Sequence, residues 1–210
     1  MARIDTELSC PSCGGGIQLE FRYTKMVVCP YCGQTNYLNV EDQLSPDGPK
    51  QVPLVDYGSK LKVGAKGNLS DTPFKVLGRL RYEYPKGFWD EWLVRLGDDR
   101  DTLYWLEEDE GEFMLYKKRE LSDLAPAYEE VIVGETIELG EFQVFVSEKN
   151  KAVVKGGEGE LPFQLLPDEQ ADFVDGFTEG KVMSIEYLPE GEKEVNLGVP
   201  VPFSKLEVEN

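Results

Sequence analysis

The sequence contains no histidine. That removes imidazole as a metal ligand and as a general base, and with it the Ser-His-Asp arrangement. No apolar run approaches the roughly 18 residues of a membrane-spanning helix. The opening MARIDTELSC lacks the apolar stretch of a secretory signal. A cytoplasmic chain without membrane insertion is the expectation. Basic residues are scarce as well, 22 Lys and Arg against 40 Asp and Glu, for a net charge of −18. Residues 1–40 are balanced, with Arg3, Arg22 and Lys25 against Asp5, Glu7 and Glu20, so the whole excess lies in 41–210. Such a field repels phosphate backbones and attracts cations or basic partners. The plainer alternative is a charge that only keeps the protein in solution.

Cysteine is rare, but all four copies fall into one pattern: Cys10-Pro11-Ser12-Cys13, fifteen residues, then Cys29-Pro30-Tyr31-Cys32. Two residues between each pair let both thiolates reach one ion from a tight turn, and a glycine follows each second cysteine (Gly14, Gly33). Thiols stay reduced in the cytoplasm, so metal binding is the default use for paired cysteines. The expectation is one structural zinc ion held by Cys10, Cys13, Cys29 and Cys32, closed to water and substrate. Two alternatives compete. A thioredoxin-like redox pair would need a single motif beside a βαβ pattern, and a rubredoxin-like iron centre uses a longer spacing. A unit of forty residues cannot bury enough surface to fold unaided, so the metal must supply much of its stability. Many such ribbons bind nucleic acid, but three scattered basic residues form no patch, and Tyr23, Tyr31 and Tyr37 serve equally as packing.

Glycine and proline, at 21 and 13 copies, are spread as punctuation between many short elements. In the ribbon, Ile17–Arg22 alternates, Met26–Val28 leads into the second knuckle, and Thr35–Val40 supplies a third strand. Residues 41–60 hold three prolines and show no periodicity, a linker composition. Beyond them Phe74, Val76, Leu80, Tyr82 and Tyr84 are expected on one face, with Lys75, Arg79, Arg81 and Glu83 on the other. Strands are expected at Trp92–Leu96, Thr102–Leu106 and Glu112–Lys117, around Phe142–Val146, around Met183–Tyr187 and around Val195–Val199. Only Leu121–Glu130 suits a short helix, limited by Pro126. An internal repeat is visible: Val63-Gly64 with Leu69 returns as Val133-Gly134 with Leu139, and Phe74-x-Val76 has its counterpart in Phe142-x-Val144. The expected organisation is a zinc ribbon over 1–40, a linker over 41–60, and an acidic antiparallel β-rich domain over 61–210. The fold class is mainly β, with the larger domain an internally duplicated sandwich or barrel-like sheet.

The run Val76-Leu77-Gly78-Arg79-Leu80-Arg81-Tyr82, then Trp89-Asp90-Glu91-Trp92-Leu93-Val94, then Tyr104-Trp105-Leu106-Glu107, resembles the bacterial family catalogued as domain of unknown function 4178. Glu158-Gly159-Glu160-Leu161-Pro162 and Ser184-Ile185-Glu186-Tyr187 match its second half. The resemblance covers about residues 60–205 and implies a zinc ribbon in front, as here. The family has no established activity for the resemblance to carry over. Members tend to be encoded beside polyamine-synthase-like enzymes, small membrane proteins and envelope-stress proteins, which implies an accessory or scaffold role.

Three groups are candidates for chemistry. Asp98, Asp99 and Asp101, and the run Glu107, Glu108, Asp109, Glu110 and Glu112, offer paired carboxylates, but neither matches a calcium loop and both read as solvated turns between strands. Phe88, Trp89, Trp92, Tyr104 and Trp105 offer aromatic faces for an organic cation such as a polyamine, or plain core. Glu91, Glu160 and Glu186 stand among apolar neighbours, as shifted carboxylates or as structural ion-pair partners. The ligand or partner site is therefore sought among Trp89, Glu91, Trp92, Trp105, Glu160 and Glu186. The leading expectation is a non-enzymatic accessory protein binding a protein partner. An enzyme or sensor for a cationic small molecule comes second, and a nucleic-acid-binding ribbon last. A deep pocket combining Trp and Glu side chains would favour the second.

Overall fold

The computed structural model describes residues 7–39, 41, 43–51, 53–165, 168–188 and 191–209. Arg3, Asp5 and Val40, the expected end of the third ribbon strand, lie outside these. The ribbon is built from β1 (Glu7–Ser9), β2 (Gly16–Gln18), β3 (Met26–Val28) and β4 (Thr35–Leu38). The alternation expected to run to Arg22 leaves the ladder after Gln18. Leu19 and Phe21 remain buried, but the backbone N–H groups of Glu20 and Phe21 donate to the carboxylate of Glu160 instead of to a strand.

The segment 41–60 is strapped down along both bodies. Within it β5 (Leu44–Ser45) pairs with β4, and Gln34 Nε2 donates to the carbonyls of Pro46 and Gly48. The Leu54 amide donates to Glu158 at 3.0 Å, and the Val55 carbonyl accepts from Arg81 at 2.8 Å.

The rest is β: β6 (Lys66–Leu69), β7 (Thr72–Tyr84), β8 (Gly87–Leu96), β9 (Tyr104–Asp109) and β10 (Glu112–Arg119) form a meander. A second set follows, β11 (Thr136–Leu139), β12 (Phe142–Leu161), β13 (Gln170–Thr178), β14 (Lys181–Tyr187) and β15 (Lys193–Val201), with β16 (Leu206–Val208) returning beside β6. The order β7-β8-β9-β10-β15-β14-β13-β12 is antiparallel throughout, and β12 pairs back onto β7, so these strands close into a ring. Closure leaves the ring strands without a free edge. The last residues of β12 extend past the ring to pair with β3, which joins the ribbon to the same sheet. Leu121–Glu130 is two short 3-10 turns, Ser122–Leu124 and Tyr128–Glu130, on either side of Pro126. Among the described residues no helix is long and apolar enough to cross a membrane.

The two halves repeat each other. Gly64 N–H donates to Val76 and Val76 N–H to Ala65, both at 2.9 Å; seventy positions on, Gly134 donates to Val146 and Val146 to Glu135, again at 2.9 Å. Gly64 and Gly134 share φ near +90°, at +86° and +91°, a conformation glycine alone adopts freely. Both long strands then carry an irregularity at the same place, after Val76 and after Val146. The correspondence runs on through the register. Arg81 stands opposite Asp90 and Asp90 opposite Glu108; in the second half Lys151 stands opposite Asp172 and Asp172 opposite Tyr187. Even the ion pair recurs, Arg81 with Asp90 at 2.7 Å and Lys151 with Asp172 at 2.6 Å.

The bulge between Val76 and Gly78 corrects the single apolar face expected from Phe74 to Tyr84. One extra residue turns the pleat over. Phe74 and Val76 pack outward with Trp92, Val94, Leu106 and Leu206, under β6 and β16. Leu80 and Tyr82 instead join Leu93, Trp105 and Tyr116. Arg79 and Arg81, expected on a polar face, are only 5 % and 6 % exposed. Both bond to Asp90, and their guanidinium groups lie over Trp92 and Phe88. In the second half Val144, Val146, Val174, Met183, Ile185 and Val195 also pack outward, beneath Ala125, Val131 and Leu139. Where β7 and β12 cross, Gly78 meets Gly159. A Cβ at Gly78 would sit 2.0 Å from the Glu160 carbonyl oxygen, and one at Gly159 would sit 2.2 Å from that of Leu77.

Candidate functional site

Two sites emerge, one in the ribbon and one inside the ring. In the ribbon, each knuckle is closed by a pair of backbone hydrogen bonds. Cys10 N–H donates to Gly15 and Gly14 N–H to Cys10; Cys29 N–H donates to Gln34 and Gly33 N–H to Cys29. Gly14 and Gly33 take φ of +76° and +71°, which turns each chain back so that both sulfurs face inward. Cys10 Sγ lies 3.8 Å from Cys32 Sγ, and Cys13 Sγ 3.7 Å from Cys29 Sγ. A tetrahedral thiolate centre with metal–sulfur bonds of about 2.3 Å needs sulfurs about 3.8 Å apart. All four lie within 4.8 Å of one another. The cysteines are therefore positioned to bind one metal ion, as their spacing predicts. Cys10 is buried, which raises its pKa, yet the backbone N–H groups of Ser12 and Cys13 outweigh this and draw it down to about 7. Cys13 goes the other way, to about 12: the Gly15 N–H pulls it down, but the sulfurs of Cys32, Cys29 and Cys10 together push it up. Four thiols this close cannot all ionise without a cation among them.

The ribbon is fastened to the ring by Glu160. Its carboxylate accepts from the amides of Glu20 (2.9 Å) and Phe21 (3.1 Å) and from Thr24 Oγ1 (2.7 Å). Lys25 N–H donates to Leu161, and Lys75 and Arg95 of the ring both pair with Glu20. Phe21, Met26 and Val28 join one apolar cluster with Leu77, Leu161 and Leu165. Burial raises the pKa of Glu160, while Thr24 and the two amides hold it back. Its role is structural.

The second site is a cavity of about 100 Å³ inside the ring, lined by side chains from β7, β8, β9, β12, β13 and β14. β8 and β13 are not neighbours in the ring, so their side chains meet across the lumen. Trp89 and Phe173 do so, with ring centroids 5.3 Å apart. Tyr82 stacks on the other side of Trp89 at 4.9 Å. Against this aromatic wall stand Glu91, Glu107, Asp109, Glu148, Asp175 and Glu186, and no lysine or arginine is among the residues lining the cavity. Lys118, on the adjoining β10, is engaged with Glu194 at 2.6 Å. Trp89 Nε1 donates to Glu91 at 3.1 Å and Asn196 Nδ2 to Glu186 at 3.2 Å. Asp109 Oδ1 and Asp175 Oδ1 are buried with no hydrogen-bond partner.

The electrostatics follow from this crowding. Burial, then the neighbouring Glu107, Asp175 and Glu194, push Glu91 up to about 8 against the Trp89 hydrogen bond. Burial, with Asp175, Asp109 and Glu186, takes Glu107 to about 8. Asp175 rises to about 6, chiefly by burial, although Ser184 hydrogen-bonds to it. Glu186 is raised well above the usual carboxylate range, by burial and by Glu91 across the lumen. Like charges held apart from water retain protons.

Of the residues expected to form a ligand site, Trp89, Glu91 and Glu186 come together here. Trp92 does not; it is 1 % exposed in the outward core, with Nε1 donating to Glu108. Trp105 is buried near Phe163 and does not line the cavity. Glu160 serves the ribbon. Glu107, Asp109 and Asp175 are the additions. The first two were read as part of a solvated turn, but Glu107 is in β9 directly opposite Glu91, and only Glu110-Gly111 makes the turn. The signal available was alternation, since Trp105, Glu107 and Asp109 share one face with period two. The Asp98–Asp101 segment is indeed a turn: Asp99 Oδ1 accepts from the amides of Asp101 and Thr102, and Asp101 pairs with Arg22.

Neither a curated protein nor a solved structure matches this chain. A family model does, the domain of unknown function DUF4178, over residues 62–203, which is the closed ring with its flanking hairpins. The motifs from Val76 to Tyr187 thus lie on strands of one closed ring, and the chain belongs to the DUF4178 family.

Proposed function

We propose that the chain is a non-enzymatic accessory module in which a structural zinc ribbon braces a barrel that binds a cationic ligand. The observation that carries this reading is the lumen: six carboxylates and an aromatic wall enclose a cavity with no basic residue in its lining. Burying carboxylates without counter-charges is unfavourable, and a fold that does so is prepared for a cation from outside. A polyamine-type cation suits the aromatic faces, which attract ammonium groups. A protein partner belongs to the accessory role, and the net charge of −18 selects a basic one. For the metal, four thiolates at tetrahedral spacing favour zinc and leave no open position for substrate, so bracing is its function.

Native mass spectrometry of the protein purified gently from its own host tests both halves. The expected species carries one zinc and a cationic passenger. Replacing Cys10 and Cys13 by Ser should abolish the zinc; unchanged metal content overturns the ribbon assignment. A passenger that is anionic overturns the cation reading.

A further inference from the structure

The internal repeat places a second constraint on the lumen, because it relates two of its carboxylates. Arg81 corresponds to Lys151, Asp90 to Asp172 and Glu108 to Tyr187, through three successive pairs in the register. One residue earlier on the same strands, Glu107 of β9 corresponds to Glu186 of β14. These two glutamates therefore face the cavity from opposite arcs of the ring, related by the approximate two-fold of the barrel. Each has a companion. Glu91 stands directly opposite Glu107 on β8, and Asp175 stands opposite Ser184, two residues before Glu186 on the same face of β14. The cavity thus has an acidic pole on each arc of the ring, and the Trp89 and Phe173 rings meet across the lumen beside them.

A bare metal ion does not fit this arrangement. Calcium takes six to eight oxygens and magnesium a tight octahedron, both requiring carboxylate oxygens to converge. Among the described residues only the four cysteines bring three or more ligand atoms that close together. The lumen carboxylates are spread around the wall instead, which also carries the rings of Tyr82, Tyr84, Trp89 and Phe173. Asp175 Oδ1, at one pole, is buried and takes no hydrogen bond from the protein.

We infer that the lumen is a binding site for a short linear diamine, each ammonium group received by one acidic pole and the methylene chain lying along Trp89 and Phe173. This rests on the reading of the barrel as a cation-binding domain and names the ligand class. The charge-assisted bonds supply affinity at both ends, and the pseudo-symmetric pair Glu107 and Glu186 supplies selectivity for a molecule charged at both ends. A cavity of about 100 Å³ limits the length of that molecule. Binding also expels protons, since the empty site holds its carboxyl groups partly protonated.

The test is calorimetric titration of the zinc-loaded full-length chain with 1,4-diaminobutane, butylamine, calcium and magnesium, in two buffers of different ionisation enthalpy. The diamine is expected to bind one to one with proton release, and butylamine about tenfold more weakly or worse, having lost one pole. Glu186→Gln and Glu107→Gln should each weaken the diamine by about tenfold while raising the thermal midpoint of the empty protein, because each removes one of several crowded carboxyl groups that lack a counter-charge. Opposite signs for affinity and stability separate a ligand role from a merely structural one. Equal affinity for butylamine, tighter binding of calcium, or no binding of the diamine by a correctly folded, zinc-loaded chain overturns the inference. Because zinc content is read on the same sample, a failed ribbon assignment is distinguished from a failed ligand assignment.

Discussion

Replacing Glu160 by Ala tests how the two bodies are joined. The carboxylate receives two backbone amides and one hydroxyl from the ribbon, at 2.7–3.1 Å. Hydrogen bonds to a charged group contribute about 1.5–3 kcal/mol each. Their sum overstates the effect, because the carboxylate is itself buried and its raised pKa records that opposing cost. Truncation also strands the amides of Glu20 and Phe21, while Thr24 Oγ1 keeps the Phe21 carbonyl as acceptor. Removing one partner of a buried charged network typically costs about 3–5 kcal/mol, and that is the range expected here. The loss should be localised. Hydrogen exchange on the metal-loaded chain should show the amides of Glu20, Phe21 and Lys25 losing protection, while Val174 and Ile185 in the outward core of the second half keep theirs. Glu160→Gln, which retains one acceptor oxygen, should fall between the variant and the wild type. A loss below about 1 kcal/mol with Glu20 and Phe21 still protected would show that the β3–β12 pairing, the Glu20 ion pairs and the shared apolar cluster hold the ribbon without Glu160.

Gly78→Ala should be severe, about 3 kcal/mol or more in chemical unfolding, because the new methyl meets the Glu160 carbonyl at 2.0 Å and neither strand can retreat; a wild-type midpoint would refute the crossing geometry. Asp90→Ala leaves Arg79 and Arg81 buried without their shared carboxylate and should cost about 3–5 kcal/mol, more than replacing both arginines by methionine along with it. Thermal melts from pH 6 to 9 should fall steadily in the ligand-free protein. Glu91 and Glu107 have folded pKa values raised to about 8, above the unfolded carboxylate value of about 4.3, so their contribution is full below the unfolded value and is lost as pH rises through 8. Glu107→Gln should flatten that slope, and a slope it leaves unchanged would place the titration elsewhere.

Much of this molecule was legible from its residues, for reasons that differ by region. The knuckles were plain because a Cys-x-x-Cys turn is local: Gly14 and Gly33 carry out the reversal within a few residues. The repeat was legible because Gly64 and Gly134 occupy a conformation that other residues enter only with strain. The lumen was hidden by its inversion. Met183, Ile185 and Val195 are the apolar side of their strands, yet they pack outward beneath the segment from Ala125 to Leu139, and the side chains between them, Ser184, Glu186 and Asn196, face the interior. Period-two patterning tells that a strand has two faces, not which one lies inside a ring whose outer surface is also covered. The bulge after Val76 was equally invisible, since Phe74 and Leu80 keep the same parity while the backbone between them does not. Glu160 showed as an acid among apolar residues. Its partners sit 136 to 140 positions away, beyond any local reading.

That separation has a consequence for synthesis. The chain segment holding all four cysteines leaves the ribosome long before β12 exists. At about 5–20 residues per second, the interval between Cys32 and Glu160 lasts on the order of ten seconds. During it the metal can be acquired and the knuckles closed, but Phe21 and Met26 have no Leu161 or Leu165 to cover them. The nascent ribbon therefore spends its first seconds as a finished metal site with an unfinished apolar face, open to chaperones and to misdirected contacts until the last third of the chain arrives.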